Sequence, residues 1–286
     1  MSIIHHMRIY GIVAFLILAT TSSVLATEDA IVPVTSTQLS DSRTTPVELN
    51  GDYFMGYLKD TGNILTSPAR WSQSDWIEAA LVTGVAVGLY TQDDHIQRWV
   101  QKHKNATTSN LADDAKKIFT YSVPALVGLG AYGYVFSDDK AKTTFLLSAE
   151  SFIIDGVFVQ VLKHTTGRHR PYTGDPHDTW SFGYTSNGSY QSFPSGDGSS
   201  AFALATVVAT EYDNMIVPPL AYGVATLIAL ERLHNNAHWS SDVFVASAIG
   251  YFTGKAVVAS HAKQSNLSFV PLLDGKDTGV LMSYQF

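Results

Sequence analysis

Cysteine is absent from this chain of 286 residues. That excludes disulfides, lipid attachment through an N-terminal cysteine, Fe–S clusters and zinc–thiolate sites. Positive charge is also scarce, with 18 Lys and Arg against 25 Asp and Glu and a formal net charge of −7. An acidic chain suits neither nucleic acid nor a broad electrostatic grip on anionic lipid. No internal repeat is apparent.

The few cations are not scattered evenly. One group lies in Lys163-His164-Thr165-Thr166-Gly167-Arg168-His169-Arg170-Pro171. A second segment, Phe193-Pro194-Ser195-Gly196-Asp197-Gly198, precedes an apolar run that reads as a helix start. A third runs from Arg232 through His238 to Asp242. Arg170 and Arg232 can donate planar bidentate hydrogen bonds, and Lys163 adds a compact point charge. The helix start after Ser195-Gly196 supplies free backbone N–H groups and a positive dipole end, and Gly196 lets an anion approach the main chain closely. His238 and Asp242 are four residues apart, so on a helix they share a face. A carboxylate on one ring nitrogen then leaves the other as a nucleophile. The set suits a phosphoryl group, whose transfer is catalysed mostly by positioning and charge stabilisation.

Each segment has a plainer reading when taken alone. Lys163, Arg168 and Arg170 read as solvated charges after an apolar helix. Pro194-Ser195-Gly196 reads as a turn and cap, and His238 to Asp242 as a helix start. Nothing structural requires all three at once, and their joint occurrence favours the anion site. His164, His169, His177 and His234 have no partner at convincing metal-ligand spacing. His234 with His238 is a weak zinc-like pair without an evident third ligand.

The pattern Lys-x6-Arg-Pro, then Pro-Ser-Gly, then Arg-x5-His-x3-Asp resembles that of the type 2 phosphatidic acid phosphatase superfamily. That superfamily includes bacterial class A acid phosphatases and vanadium haloperoxidases. The resemblance covers roughly residues 120–260. It implies that Lys163, Arg170, Ser195, Gly196 and Arg232 bind phosphate, that His238 forms a phosphohistidine, and that Asp242 orients it. It also implies that no metal or cofactor is needed. Two positions depart. Asp197 stands where the family has the histidine that protonates the leaving oxygen, a role aspartate fills only with a raised pKa. Glu231 stands where serine is usual before the arginine.

The start of the chain reads as an export signal over 1–26: Arg8, an apolar run from Ile9 to Thr20, and Val24-Leu25-Ala26 as a cleavage pattern. An uncleaved anchor is the other reading of this segment. Residues 27–70 read as a polar extended arm. From Trp71 to residue 262 the chain reads as an all-α helical phosphatase domain. Its six core helices are expected over 76–90, 119–136, 143–162, 199–211, 214–230 and 242–258. Glu78, Glu150, Asp155 and Lys255 fall inside these stretches and favour a soluble bundle over an integral one, since charges are costly in lipid. Tyr121 to Phe136 and Met215 to Leu230 suit a membrane best. Residues 263–286 alternate around Asp274-Gly275-Lys276-Asp277-Thr278 and read as a short β-hairpin packed on the bundle.

The expected protein is therefore an exported, periplasmic, metal-independent phosphatase of phosphomonoesters or pyrophosphates, with lipid phosphates favoured by the resemblance. Its partner is a phosphate-bearing small molecule or lipid rather than nucleic acid. Membrane association stays open, and nothing sets the oligomeric state. The loop from Tyr172 to Gln191, with Trp180, Phe182, Tyr184 and Tyr190, is expected to rim the pocket. Two alternatives remain. One is a phosphate or phospholipid binder without turnover. The other is a vanadium haloperoxidase, which leans on the histidine missing at 197.

Overall fold

A computed structural model describes residues 47–265, 267–274 and 277–284, with side chains through residue 262. The leader expected over 1–26, and the arm as far as residue 46, lie outside the described residues. Eight α-helices occur among the described residues: α1 (Gly51–Thr66), α2 (Gln73–Tyr90), α3 (Asp93–Lys102), α4 (Ala106–Phe136), α5 (Asp139–Thr166), α6 (Gly196–Glu211), α7 (Val217–His234) and α8 (Ser240–Ser265). The architecture is all-α.

Local chemistry fixes the helix ends. Capping boxes open α2 (Ser72 with Asp75) and α4 (Asn105 with Thr108). The box at Asn105 explains why α4 begins well before the expected residue 119. Asp138 caps α5 by accepting from the Ala141 N–H at 3.0 Å. Gly167 ends α5 in the left-handed region at φ +62°, where an added Cβ would lie 2.1 Å from the Ser181 carbonyl oxygen. That turn comes four residues after Lys163 and directs Arg168 into the interior.

Helix α6 is the centre of the bundle, with Ala203 and Val207 fully buried. Gly250 and Gly254 of α8 let that helix lie against it. A Cβ at Gly250 would sit 2.0 Å from the Ser199 carbonyl oxygen, and one at Gly254 would sit 2.8 Å from that of Ala203. Two apolar clusters flank this contact. Ala201, Phe202 and Ala205 pack with Ala225, Ile228 and Ala229 of α7. Leu147 and Ile154 of α5 pack with Val207, Val257 and Val258.

Three expectations need correction. Residues 51–66 are not part of an extended arm. Asn50 caps this helix through the Tyr53 N–H at 3.0 Å, and Tyr57 and Ile64 pack against the second cluster. The inward positions Tyr53, Tyr57, Asp60 and Ile64 share one helical face but carry only one aliphatic side chain, so the pattern is weak. Helix α3 was likewise absent from the six expected helices. The interior acids Glu150 and Asp155 are fully buried, so they face protein and do not weigh against a membrane. Three helices, Ala106–Phe136, Asp139–Thr166 and Ser240–Ala262, are long and apolar enough to cross one. Of the two stretches expected to suit a membrane best, 121–136 lies in one of these and 215–230 does not.

At the C-terminus, β1 (Leu267–Asp274) and β2 (Asp277–Tyr284) pair antiparallel, with Leu267 opposite Tyr284. Residues 275–276 between them, and all side chains of this segment, lie outside the described residues.

Candidate active site

Four helix ends converge at one end of the bundle: the C-termini of α5 and α7 and the N-termini of α6 and α8. They bring together Lys163, Arg170, Ser195, Gly196, Asp197, Arg232, His238 and Asp242. Lys163 is 7 % exposed, and its Nζ donates to the Gln191 carbonyl at 2.9 Å. Its stem lies against Gly196, where a Cβ would meet Cε at 3.6 Å. Ser195 is the N-cap of α6 and accepts from the Gly198 N–H at 3.4 Å. Arg170 is oriented by the Gly188 carbonyl, 2.8 Å from Nε, and its Nη1 lies 3.5 Å from His238 Nε2. Arg232 has a buried Nε with no hydrogen-bond partner among the described residues. An unsatisfied donor among cations is the chemistry of an anion site.

His238 does not pair with Asp242. Its Nδ1 lies 2.6 Å from the Ser192 carbonyl oxygen, so Nδ1 carries the proton and Nε2 keeps its lone pair. The reason is a helix boundary. Helix α8 starts at Ser240, after His238, and Asp242 at its third position reaches back to the Trp239 N–H at 3.0 Å. The other contacts of Asp242 are Arg168 Nη1 at 2.5 Å and Ser192 Oγ at 2.5 Å. It therefore acts on His238 through Ser192, whose hydroxyl it holds and whose carbonyl holds the ring.

Burial, followed by the positive charges of Lys163, Arg170 and Arg232, holds the His238 imidazole well below the usual histidine pKa of 6.5. The Ser192 bond works weakly the other way. Between the depressed folded pKa and 6.5 the unfolded chain takes up a proton that the folded chain refuses. This contribution is fully present above pH 6.5 and is lost as pH falls through that range. For reactivity, Nε2 stays unprotonated into acid. The acid limb of any rate profile assigned to His238 is expected below pH 6.5, and a limb at or above that value would contradict this environment.

Asp197 is placed otherwise than an acid role calls for. Its side chain is 38 % exposed, and its Oδ2 lies 2.8 Å from Arg232 Nη1. Buried Glu231 takes the same guanidinium at 3.2 Å and accepts from Asn235 at 2.5 Å. Two carboxylates thus share the cation that a phosphate would use.

Arg168 is not a solvated charge. It is fully buried and donates from all three nitrogens: to Asp93 Oδ2 at 2.8 Å, to Asp242, to Ser241 Oγ at 2.8 Å and to the His177 carbonyl at 2.8 and 3.1 Å. Its guanidinium lies 4.9 to 5.6 Å from the ring centroids of Tyr90, Trp180 and Trp239. Asp93 in turn accepts from Ser240 Oγ and from the N–H and Oγ of Ser241, so it caps α8 from another helix. Of the loop aromatics, Trp180 belongs to this packing and Tyr190 stacks on His169 at 3.9 Å, while Phe182 and Tyr184 are exposed. His169 and His177 pair with Asp175 and Asp94.

Residues 144–266 match the family model of the PAP2 superfamily. The matched segment contains every candidate residue named at the start of this subsection, whereas Asp93 and Tyr90 reach it from outside. The lipid A 1-phosphatase of Porphyromonas gingivalis is 31% identical over 137 residues, 46% of this chain and 28% of that protein. The chain thus spans little more than a quarter of that relative's length. The crystal structure of Aquifex aeolicus LpxE aligns at 21% identity with a TM-score of 0.47, over 58% of this chain and 94% of that one. A transmembrane PAP2-type phosphatidylglycerolphosphate phosphatase from Bacillus subtilis aligns at 14% identity with a TM-score of 0.43, over 73% and 94%.

Sequence reasoning missed Arg168, Asp93 and Ser192. Only Arg168 carried a signal, lying between two motif cations on the far side of a helix-ending glycine.

Proposed function

We propose that this protein is a membrane-associated phosphatase of lipid phosphate esters that works through a phosphohistidine on His238. The observation that carries the reading is the imidazole itself. Its Nδ1 is tied to a backbone carbonyl, its Nε2 keeps a lone pair that faces Arg170 Nη1 at 3.5 Å, and three cations act on it. In the first step Nε2 attacks phosphorus and the bond to the leaving oxygen breaks, that oxygen taking its proton from water, since Asp197 is ion-paired to Arg232. Water then attacks phosphorus, its proton passes to solvent, the N–P bond breaks and phosphate leaves. Lys163, Arg170, Arg232 and the N–H groups at the start of α6 stabilise the charge on the equatorial oxygens.

A lipid substrate is supported by the superfamily match, by the name of the P. gingivalis relative and by the three apolar helices. Leu81, Val127, Val135 and Val157 are among the large apolar side chains left exposed on α2, α4 and α5. The reading of residues 1–26 as a leader, from their sequence, is what supports export. The test is phosphate release by the purified full chain from lipid phosphates in mixed micelles and from p-nitrophenyl phosphate, with and without chelator. Lipid esters are expected to turn over, chelator to leave the rate unchanged, and orthovanadate to inhibit as a mimic of the in-line transition state. No release from any substrate, with vanadate still bound, would leave a binder in place of an enzyme.

The contact between Asp197 and Arg232 bears on binding and turnover alike, because a phosphate must displace a carboxylate. Asp197→Asn is expected to tighten phosphate and vanadate binding severalfold. Asp197→His is expected to raise turnover of substrates with poor leaving groups far more than of p-nitrophenyl phosphate. Equal rates for the Asp, Asn and His forms on alkyl phosphates would remove position 197 from proton transfer.

A further inference from the structure

A second cluster of ionisable groups lies far from the phosphate site. Glu150 precedes Lys163 on α5 by enough turns to separate the two by roughly 20 Å, at about 1.5 Å per residue. Asp60 of α1, Glu150 of α5 and His261 of α8 each offer one ligand atom, all within 4.8 Å of one another. His261 Nε2 is 2.8 Å from Glu150 Oε2 and 3.8 Å from Asp60 Oδ2. Asp60 is 2 % exposed and Glu150 is 0 % exposed.

These acids are under-satisfied. Asp60 Oδ1 and Glu150 Oε1 are buried with no hydrogen-bond partner among the described residues. The neighbouring tyrosines give no help. Tyr53 donates its hydroxyl to the Leu146 carbonyl at 2.8 Å, which leaves the 2.7 Å contact between Tyr53 and Tyr57 to be donated by Tyr57. Both phenolic protons are therefore committed. With both carboxylates ionised the cluster would hold a net negative charge out of water, even beside an imidazolium. An unsatisfied charge of that kind is strongly destabilising.

We propose that Asp60, Glu150 and His261 form a binding site for a divalent transition-metal ion that fastens α1 to the bundle. A dication neutralises both carboxylates, and the free oxygens become available to it. One imidazole with two carboxylates suits Zn²⁺, Mn²⁺ or Fe²⁺ better than Mg²⁺ or Ca²⁺, which take oxygen ligands. Ligands about 2.0 to 2.2 Å from one ion lie roughly 3 to 3.5 Å from one another, so the 2.8 Å contact need only widen and the 3.8 Å contact only close by a few tenths of an ångström. The ion would join three helices whose contacting residues are far apart in sequence. It would not touch the phosphate, so its role is structural.

The test uses the full chain, stripped with chelator, exchanged into Zn²⁺ and freed of excess metal. Elemental analysis should find one equivalent of zinc in the parent and less than a tenth in Asp60→Asn, Glu150→Gln and His261→Gln. Zn²⁺ at about a hundredfold over its Kd should raise the unfolding midpoint of the parent by roughly 5–10 °C and leave the variants unmoved. Co²⁺ in place of zinc should show visible d–d bands that disappear in His261→Gln, which reads ligation directly should a carboxylate variant fold poorly. Stoichiometric zinc retained by all three variants would overturn the proposal. So would a parent that binds no metal and gains stability from Asp60→Asn, since the pair would then be sharing a proton.

Discussion

His238→Ala is expected to abolish phosphate release, with a loss of roughly 10⁴-fold or more, the scale seen when a covalent nucleophile is removed. The structure makes this sharper than the motif alone does. With Nδ1 donating to Ser192, the only atom of His238 with a free lone pair is Nε2, and Arg170 Nη1 lies 3.5 Å from it. Label trapped from a radioactive substrate should be acid-labile and alkali-stable and should vanish in the alanine form. Label on serine or aspartate would discard the phosphohistidine. Ser192 supplies an internal comparison. Its holding group is a backbone carbonyl, so Ser192→Ala keeps that bond and removes only the hydroxyl that Asp242 grips. It should lower kcat far less than His238→Ala and leave KM nearly unchanged. Equal losses would mean that the ring's orientation depends chiefly on the Ser192 hydroxyl.

The convergence of the candidate residues was legible because they lie within three short segments with fixed spacing. Lys163, Arg170, Ser195, Gly196 and Arg232 could be named without knowing what surrounds them. The partnership of His238 and Asp242 was misread for a local reason. The spacing of four residues pairs side chains only inside a helix, and here the helix begins between them at Ser240. The scaffold beneath the site was not legible at all. Asp93 bonds Ser241 across 148 residues and Arg168 across 75. Neither contact leaves a periodic trace, because each is a single side chain meeting one partner. Helix α1 was hidden for a related reason. Its inward face is two tyrosines, an aspartate and one isoleucine, a face shaped by the polar cluster it covers rather than by an oily core. The interior acids misled in the same way, since sequence shows that Glu150 and Asp155 interrupt an apolar run but not that both point inward. Asp155 there accepts from Ser199 and from Ser200 at 3.2 Å, beneath the first turn of α6.

Arg168→Met is expected to cost about 3–5 kcal/mol of stability, the scale for removing one partner of a buried charge group. For a chain of this kind that lowers the unfolding midpoint by roughly 6–20 °C. The guanidinium stands between Asp93 and Asp242, both fully buried. Without it, two carboxylates face each other with only serine hydroxyls and backbone N–H groups to hold them. Lysine cannot substitute. It lacks the plane that lies between Tyr90, Trp180 and Trp239, and its three donors cannot reach the two acids, Ser241 and the His177 carbonyl together. Adding Asp93→Asn to Arg168→Met removes one orphaned charge and should recover part of the loss, whereas Asp93→Asn alone should destabilise. That non-additive pattern separates a charge network from simple packing. Additive effects in the double variant, or a loss below about 1 kcal/mol for Arg168→Met, would show that the network does not hold the N-terminus of α8 in place. Where the network does hold it, the same variant should slow turnover beyond what instability explains. Asp242 would lose its cation partner, and the start of α8, which follows closely on His238, would no longer be held in place.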